Sequence, residues 1–107
     1  DEAAAATETV TRQAPELVLG WYNLGLIQRK AGRIAEALEA YETALQLAPA
    51  NPELHQNRGA AQLIGGNFDD ARDSFLTAIG LLLEQGRQEE AEELSRRAGE
   101  MVNLNAA

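Results

Sequence analysis

The chain has 107 residues, of which 45% are hydrophobic and 5% aromatic, and its formal net charge is −8. This length and apolar content favour one packed domain over disorder, and the dispersed basic residues argue against a nucleic-acid partner. No apolar run is long enough to insert in a membrane, no cysteine is present, and the first residues do not resemble a signal peptide, so we expect a cytoplasmic protein.

A spacing of 34 residues relates the predicted elements to one another. Asn23 and Gly25 recur as Asn57 and Gly59. Further matches at the same interval join Gln28 with Gln62, Gly32 with Gly66, Ala37 with Ala71, Tyr41 with Phe75, and Ala44 with Ala78. Residues that are small in one unit are small in the next, which indicates helices that approach each other closely.

The first predicted element is a helix over residues 1–14. Ala3 and Pro15 precede Ala37 and Pro49 by the same 34 residues. We therefore expect residues 1–14 to form the second helix of a partial repeat, which leaves a face rich in alanine without its usual neighbour.

The next two predicted helices cover residues 17–30 and 34–47. The first carries Trp21 on a packing stripe and ends at Gly32, which suits a left-handed helix cap. The second ends before Pro49, because proline cannot continue a helix.

Three more helices are predicted after the prolines. Residues 53–64 and 68–84 form a second pair, separated by Gly66 and opened by Asn67 as an N-cap. Leu83 stands where the first pair has a proline, so the helix is expected to continue to residue 84 or 85. Residues 88–102 then form an amphipathic helix, the main part of a C-terminal cap over residues 86–104. Its inward positions are Ala91, Leu94, Ala98, Met101 and Val102.

This pattern resembles the tetratricopeptide repeat family, whose repeat has Trp, Leu-Gly, Tyr, Ala, an aromatic residue, Ala and Pro at fixed positions. Residues 18–51 supply Trp21, Leu24, Gly25, Ala37, Tyr41, Ala44 and Pro49, with Gln28 in place of the tyrosine. Residues 52–85 keep Gly59, Ala71, Phe75 and Ala78, with His55 in place of the tryptophan and Arg58 in place of the leucine. The resemblance implies an all-α superhelix of helix-turn-helix repeats with a C-terminal capping helix, forming a single domain over residues 1–107.

The residues that carry chemistry in enzymes do not cluster in this sequence. His55 is the single histidine and has no cysteine near it, so it is read as a packed helix residue rather than a metal ligand. Asp69, Asp70 and Asp73 lack the spacing of a calcium loop and suit the start of a helix. We therefore expect no enzyme activity, no metal and no cofactor.

The candidate binding residues are the polar and exposed stripe on the first helix of each pair. The resemblance implies that this stripe faces a groove that holds extended peptides, and that Asn23 and Asn57 hydrogen bond to the peptide backbone. The alternative is that both asparagines are ordinary polar surface residues. The predicted stripe comprises Leu19, Tyr22, Asn23, Leu26, Arg29, Lys30, Glu53, Gln56, Asn57, Ala60, Leu63 and Ile64.

The sequence thus predicts a non-catalytic module that binds a protein or peptide segment of unknown identity in its concave groove. The alternative is a structural or self-association segment of a longer repeat array, in which the N-terminal helix packs on another copy.

Overall fold

The computed structural model describes residues 18–106, and the side chains of residues 18–101. Every regular element in this part of the chain is an α-helix: α1 Val18–Lys30, α2 Ile34–Leu47, α3 Pro52–Ile64, α4 Phe68–Glu84 and α5 Gln88–Ala106. The all-α prediction is therefore confirmed for these residues. The first four helices begin and end within one residue of the predicted bounds, whereas α5 continues beyond its predicted end at residue 102. The helix predicted at residues 1–14 lies outside the described residues.

The chain divides into two compact units, with the boundary between Pro49 and Ala50. In the first unit, α1 packs against α2. In the second unit, α4 packs against both α3 and α5. The single domain expected over residues 1–107 stays a prediction.

Three turns between helices use the same glycine cap. Gly32, Gly66 and Gly86 have φ values of +80°, +83° and +73°, a region that side chains with a Cβ rarely adopt. In each turn the N–H of the residue after the glycine donates to a carbonyl five residues back, as from Arg33 to Gln28 at 2.8 Å. These hydrogen bonds satisfy helix carbonyls that would otherwise have no partner. The role predicted for Gly32 is confirmed.

Asparagines stand at the N-caps of α3 and α4, but only one of them caps with its side chain. The Asn51 side chain accepts a hydrogen bond from the Leu54 N–H at 3.2 Å and so caps α3. Asn67 occupies the N-cap position of α4, as predicted, and its carbonyl accepts from the Ala71 N–H at 2.9 Å, but its side chain forms no cap hydrogen bond. The two residues differ in backbone conformation, with ψ of 107° at Asn51 and 72° at Asn67.

The repeated glycines lie where a helix meets an aromatic ring. A Cβ at Gly25 would lie 2.7 Å from Cδ1 and 2.8 Å from Cζ of Tyr41, and closer still to Cε1. A Cβ at Gly59 would lie 3.0 to 3.1 Å from the Phe75 ring. Both rings are buried. The sequence repeat thus keeps a glycine opposite the aromatic residue that lies 16 positions later in each unit.

The two units differ in what surrounds these contacts. In the first unit, Leu24 and Ala40 form a small apolar cluster against which Trp21 packs. Trp21, predicted to lie on a packing stripe, is half-buried there. In the second unit the apolar core lies between α4 and α5 and consists of Ala71, Phe75, Ala78, Leu82, Ala91, Leu94 and Ala98. Ala91, Leu94 and Ala98 of this core belong to α5, so the inward face predicted for α5 is confirmed at these three residues.

Candidate functional site

The twelve residues of the predicted stripe lie on two helices, six on α1 and six on α3. On α1, Leu19 is 63% exposed, and Asn23 and Lys30 are also exposed. Asn23 forms no hydrogen bond with another described residue, so both its donor and its acceptor face solvent. Leu26 on the same helix is half-buried.

Tyr22 and Arg29, also in the α1 stripe, are half-buried beside Tyr41. The rings of Tyr22 and Tyr41 lie 6.4 Å apart and are inclined by 57°. Burial raises the pKa of the Tyr41 phenol, and the nearby charge of Arg29 opposes that shift. These two stripe residues therefore contribute to the packing of the first unit as well as to its surface.

The α3 part of the stripe is less open than expected. Leu63 packs against the apolar core of the second unit, so it has a structural role, whereas Ile64 is 64% exposed. Asn57 is half-buried, and its Nδ2 donates to the Glu53 carbonyl oxygen at 2.7 Å, one helical turn back. Ala60 is half-buried. Asn23 and Asn57 hold equivalent places in the sequence but differ in exposure and bonding.

Glu53 and Gln56 lie on the wall of a cleft in the second unit with a volume of about 350 Å³. Pro52, Leu82 and Leu94 give the cleft its apolar surface, and charged residues from α5 form the opposite wall. The lining consists of Pro52, Glu53, Gln56, Leu82, Arg87, Glu89, Glu90, Glu93, Leu94 and Arg97. The cleft is open to solvent and combines apolar, amide and charged groups.

Arg87, in the turn before α5, forms hydrogen bonds to residues on both walls of the cleft. Its Nη2 donates to Glu53 Oε1 at 2.5 Å, and its Nε and Nη2 donate to the two carboxylate oxygens of Glu90 at 2.6 and 2.8 Å. Gln85, in the same turn, donates from Nε2 to the Ala50 carbonyl at 2.8 Å. The start of α5 is thereby held beside the start of α3.

The charges around the cleft do not cancel. Four glutamates and two arginines line it, and Arg87 is held between two of those glutamates. The Arg87 hydrogen bond lowers the pKa of Glu90, and the two carboxylates raise the pKa of Arg87. Glu89 and Arg97 form no ion pair with another described residue. Glu93 is paired with Arg96, which does not line the cleft, so the excess of negative charge lies at Glu53, Glu89 and Glu90.

The sequence predicted only the α3 side of this cleft. Glu89, Glu93 and Arg97 are exposed on α5, opposite its apolar positions in the sequence pattern. Arg96 pairs with Glu93, three residues back on the same helix. The sequence does contain Gly86-Arg87 followed by Glu90, which repeats the glycine turn and marks the start of α5. That Arg87 also contacts Glu53 could be identified only from the tertiary structure.

No group of three or more histidine, aspartate or glutamate side chains among residues 18–101 is arranged to hold a metal ion. None of the helices in the described part of the chain is both long and apolar enough to cross a bilayer.

Comparison with known proteins identifies one repeat and several relatives. The tetratricopeptide repeat family matches residues 18–51. The human "Cell division cycle protein 16 homolog" is 42% identical over 59 residues, which cover 55% of this chain and 10% of that protein. The Arabidopsis thaliana "TPR repeat-containing thioredoxin TTL4" is 36% identical over 55 residues, covering 51% of this chain and 8% of that protein. The Xenopus laevis "Tetratricopeptide repeat protein 33" is 36% identical over 52 residues, covering 49% of this chain and 20% of that protein.

The chain thus spans at most a fifth of the length of each of these three relatives. The match to residues 18–51 coincides with the α1–α2 pair and with the residues that carry the repeat pattern. Tetratricopeptide repeats are in general protein–protein interaction modules built from stacked helix pairs. Residues 18–51 therefore match a tetratricopeptide repeat, and the rest of the chain lies outside that match.

Proposed function

We propose that this chain is a non-catalytic module that binds an extended segment of a partner protein through residues of the first helix of a pair. The observation that carries the proposal is the cleft of the second unit, in which Glu53 and Gln56 of the predicted stripe face a wall contributed by α5. An open cleft with an apolar floor and polar walls suits a peptide better than it suits a buried small molecule.

The groups around the cleft match what an extended peptide offers. Leu82 and Leu94 present apolar surface to a side chain, and the Gln56 amide offers both a donor and an acceptor to a peptide backbone. On the first unit, the exposed Asn23 amide offers the same pair of groups. Recognition through backbone amides tolerates many sequences, while the apolar and charged walls select among side chains.

The experiment is selection from a displayed library of random peptides, followed by titration calorimetry of the enriched peptides. We expect micromolar binders whose affinity falls when Gln56 is changed to Ala, since the peptide groups that it bonds would be left without a partner, at a cost of about 1–3 kcal/mol. The matched control is Gln46→Ala, which removes the same amide from an exposed position on α2. If no peptide is enriched, or if both variants bind alike, the proposed function is wrong.

A second candidate function is self-association, favoured by an apolar surface of the second unit that lies outside the first cleft. Leu76 is 58% exposed there and lies beside a smaller cleft of about 230 Å³ whose floor includes Ala98 and Gly99. Small residues at such a place would let a helix of a second copy approach closely. Sedimentation over a wide concentration range tests this function, and a monomer at all concentrations would exclude it.

A further inference from the structure

We propose, building on the interaction role above, that the cleft of the second unit receives a lysine or arginine side chain of the bound segment. The cleft brings an apolar floor from α4 and α5 beside a rim with excess negative charge from α3 and α5. A long cationic side chain is the type of side chain that satisfies both surfaces at once.

The floor of the cleft suits the aliphatic stem of such a residue. Leu82 and Leu94 are each only 4% exposed and belong to the apolar core of the second unit, so their positions are fixed by packing. Lysine and arginine cover apolar surface with three or four methylene groups while the charged head stays near water. Because the core covers most of both leucines, the floor offers only a narrow apolar contact, which a methylene stem can cover while the head group stays at the charged rim.

The rim charges favour a cation over an anion. Glu53, Glu89 and Glu90 lie at the end of the cleft where α5 begins, and the nearest cation, Arg87, is already committed to Glu53 and Glu90. The positive end of the α5 dipole, equivalent to about half a charge, reduces the negative excess without reversing it. Arg97 lies eight residues after Glu89, about 12 Å further along the helix. The site for the cation is therefore the end near Glu89.

Glu89 is the rim residue best suited to a test. It is exposed in the first turn of α5 and forms no ion pair with another described residue, so it can be changed without breaking the Arg87 cluster. Asp69 provides the control, because it is exposed in the first turn of α4 and does not line the cleft. Its pair with Arg72 at 3.7 Å is solvent-exposed and contributes little to stability. Glu89→Lys and Asp69→Lys both change the charge by two units and place a lysine at the same helix position.

The probe is a fluorescently labelled ten-residue peptide of serine, leucine and lysine with both ends blocked, beside versions in which glutamine or glutamate replaces every lysine. Anisotropy titration at low ionic strength is expected to give about tenfold tighter binding of the lysine peptide than of the glutamate peptide, a difference that shrinks as salt screens the charges. Glu89→Lys should weaken binding of the lysine peptide about three- to tenfold, and Asp69→Lys less than twofold.

The other outcomes separate the two proposals. If the glutamine or glutamate peptide binds more tightly, or if Asp69→Lys is as harmful as Glu89→Lys, the cationic site is wrong while the interaction role stands. The same holds if the random library yields binders to the cleft but all three designed peptides fail. If neither the library nor the designed peptides bind, the interaction role is wrong together with the cationic site.

Discussion

Gly25 shows why a single position is held to glycine in this protein. A methyl group there would overlap the ring of Tyr41, which is fully buried and cannot turn away. Overpacking of this kind costs about 1–3 kcal/mol, while alanine in place of glycine gains up to about 1 kcal/mol in helix propensity. We therefore expect Gly25→Ala to lower the free energy of unfolding by about 1–2 kcal/mol, measured by urea denaturation.

Two other glycines provide the comparison for this prediction. At Gly59 the added methyl group would contact Phe75 at 3.0 to 3.1 Å, a milder overlap, so Gly59→Ala should cost less than Gly25→Ala. At Gly80, inside α4, nothing lies within 4 Å, so Gly80→Ala should stabilise the protein by about 0.5–1 kcal/mol. If Gly25→Ala is also stabilising, the close approach of α1 and α2 is wrong.

At Tyr41, in contrast to Gly25, a substitution is expected to raise the free energy of unfolding. Its hydroxyl oxygen is buried and has no hydrogen-bond partner among the described residues, whereas the equivalent residue of the second unit is Phe75. A buried polar group without a partner costs about 1–3 kcal/mol, so Tyr41→Phe should raise the free energy of unfolding by about 1 kcal/mol. The reciprocal change, Phe75→Tyr, should be destabilising. Thermal and urea melts of both variants measure this, and a loss of stability in Tyr41→Phe would mean that the hydroxyl is bonded.

At the level of helix pairs, three equivalent positions distinguish the two units. The apolar cluster in the first unit consists of Trp21, Leu24 and Ala40, and the residues 34 positions later are His55, Arg58 and Ser74. Arg58 donates from Nε to Ser74 Oγ at 3.1 Å and from Nη2 towards His55 Nδ1 at 3.1 Å, and Ser74 donates to Gln62 Oε1 at 2.7 Å. At these three positions the second helix pair thus has a connected set of hydrogen bonds where the first pair has apolar packing.

This set of hydrogen bonds predicts a coupling between α3 and α4. Ser74 is 2% exposed, so Ser74→Ala removes a buried partner from both Arg58 and Gln62 and should cost about 1–2 kcal/mol. In an Arg58→Leu background the same change should cost less, because one of the two bonds is already gone. Urea denaturation of the two single variants and the double variant measures the coupling, and strictly additive effects would show that the bonds contribute little.

The helices were predictable from sequence to a greater extent than the site. Proline and glycine fix most helix ends through local chemistry, as at Gly32 and Pro49, and local chemistry is visible in the sequence. Asn67 lies at the predicted N-cap position, but its side chain forms no cap hydrogen bond, because that bond depends on backbone angles of the turn that the residue type does not specify. The replacements at His55 and Arg58 were visible individually, but their connection through Ser74 depends on the tertiary packing of α3 against α4. The α5 wall of the cleft was missed for the same reason.

For the whole molecule, the charge of −8 acts against folding, because 17 acidic residues repel one another more strongly in a compact state than in an extended one. The ion pairs that oppose this repulsion are few among the described residues, and they are exposed or half-buried, so each contributes little. Salt weakens both the repulsion and the ion pairs, and the repulsion involves more charges.

We therefore expect the melting temperature to rise when sodium chloride is increased from about 0.01 M to about 0.15 M, over which the screening length falls from about 30 Å to about 8 Å. Arg87→Ala is the informative variant, because it removes the ion pairs with Glu53 and Glu90 and leaves a still more negative protein. Its melting temperature should be lower at low salt and should rise more steeply with salt than that of the wild type. A melting temperature that falls with salt in the wild type, but not in Arg87→Ala, would mean that the Arg87 cluster outweighs the net charge and that this local contact dominates the electrostatics of folding.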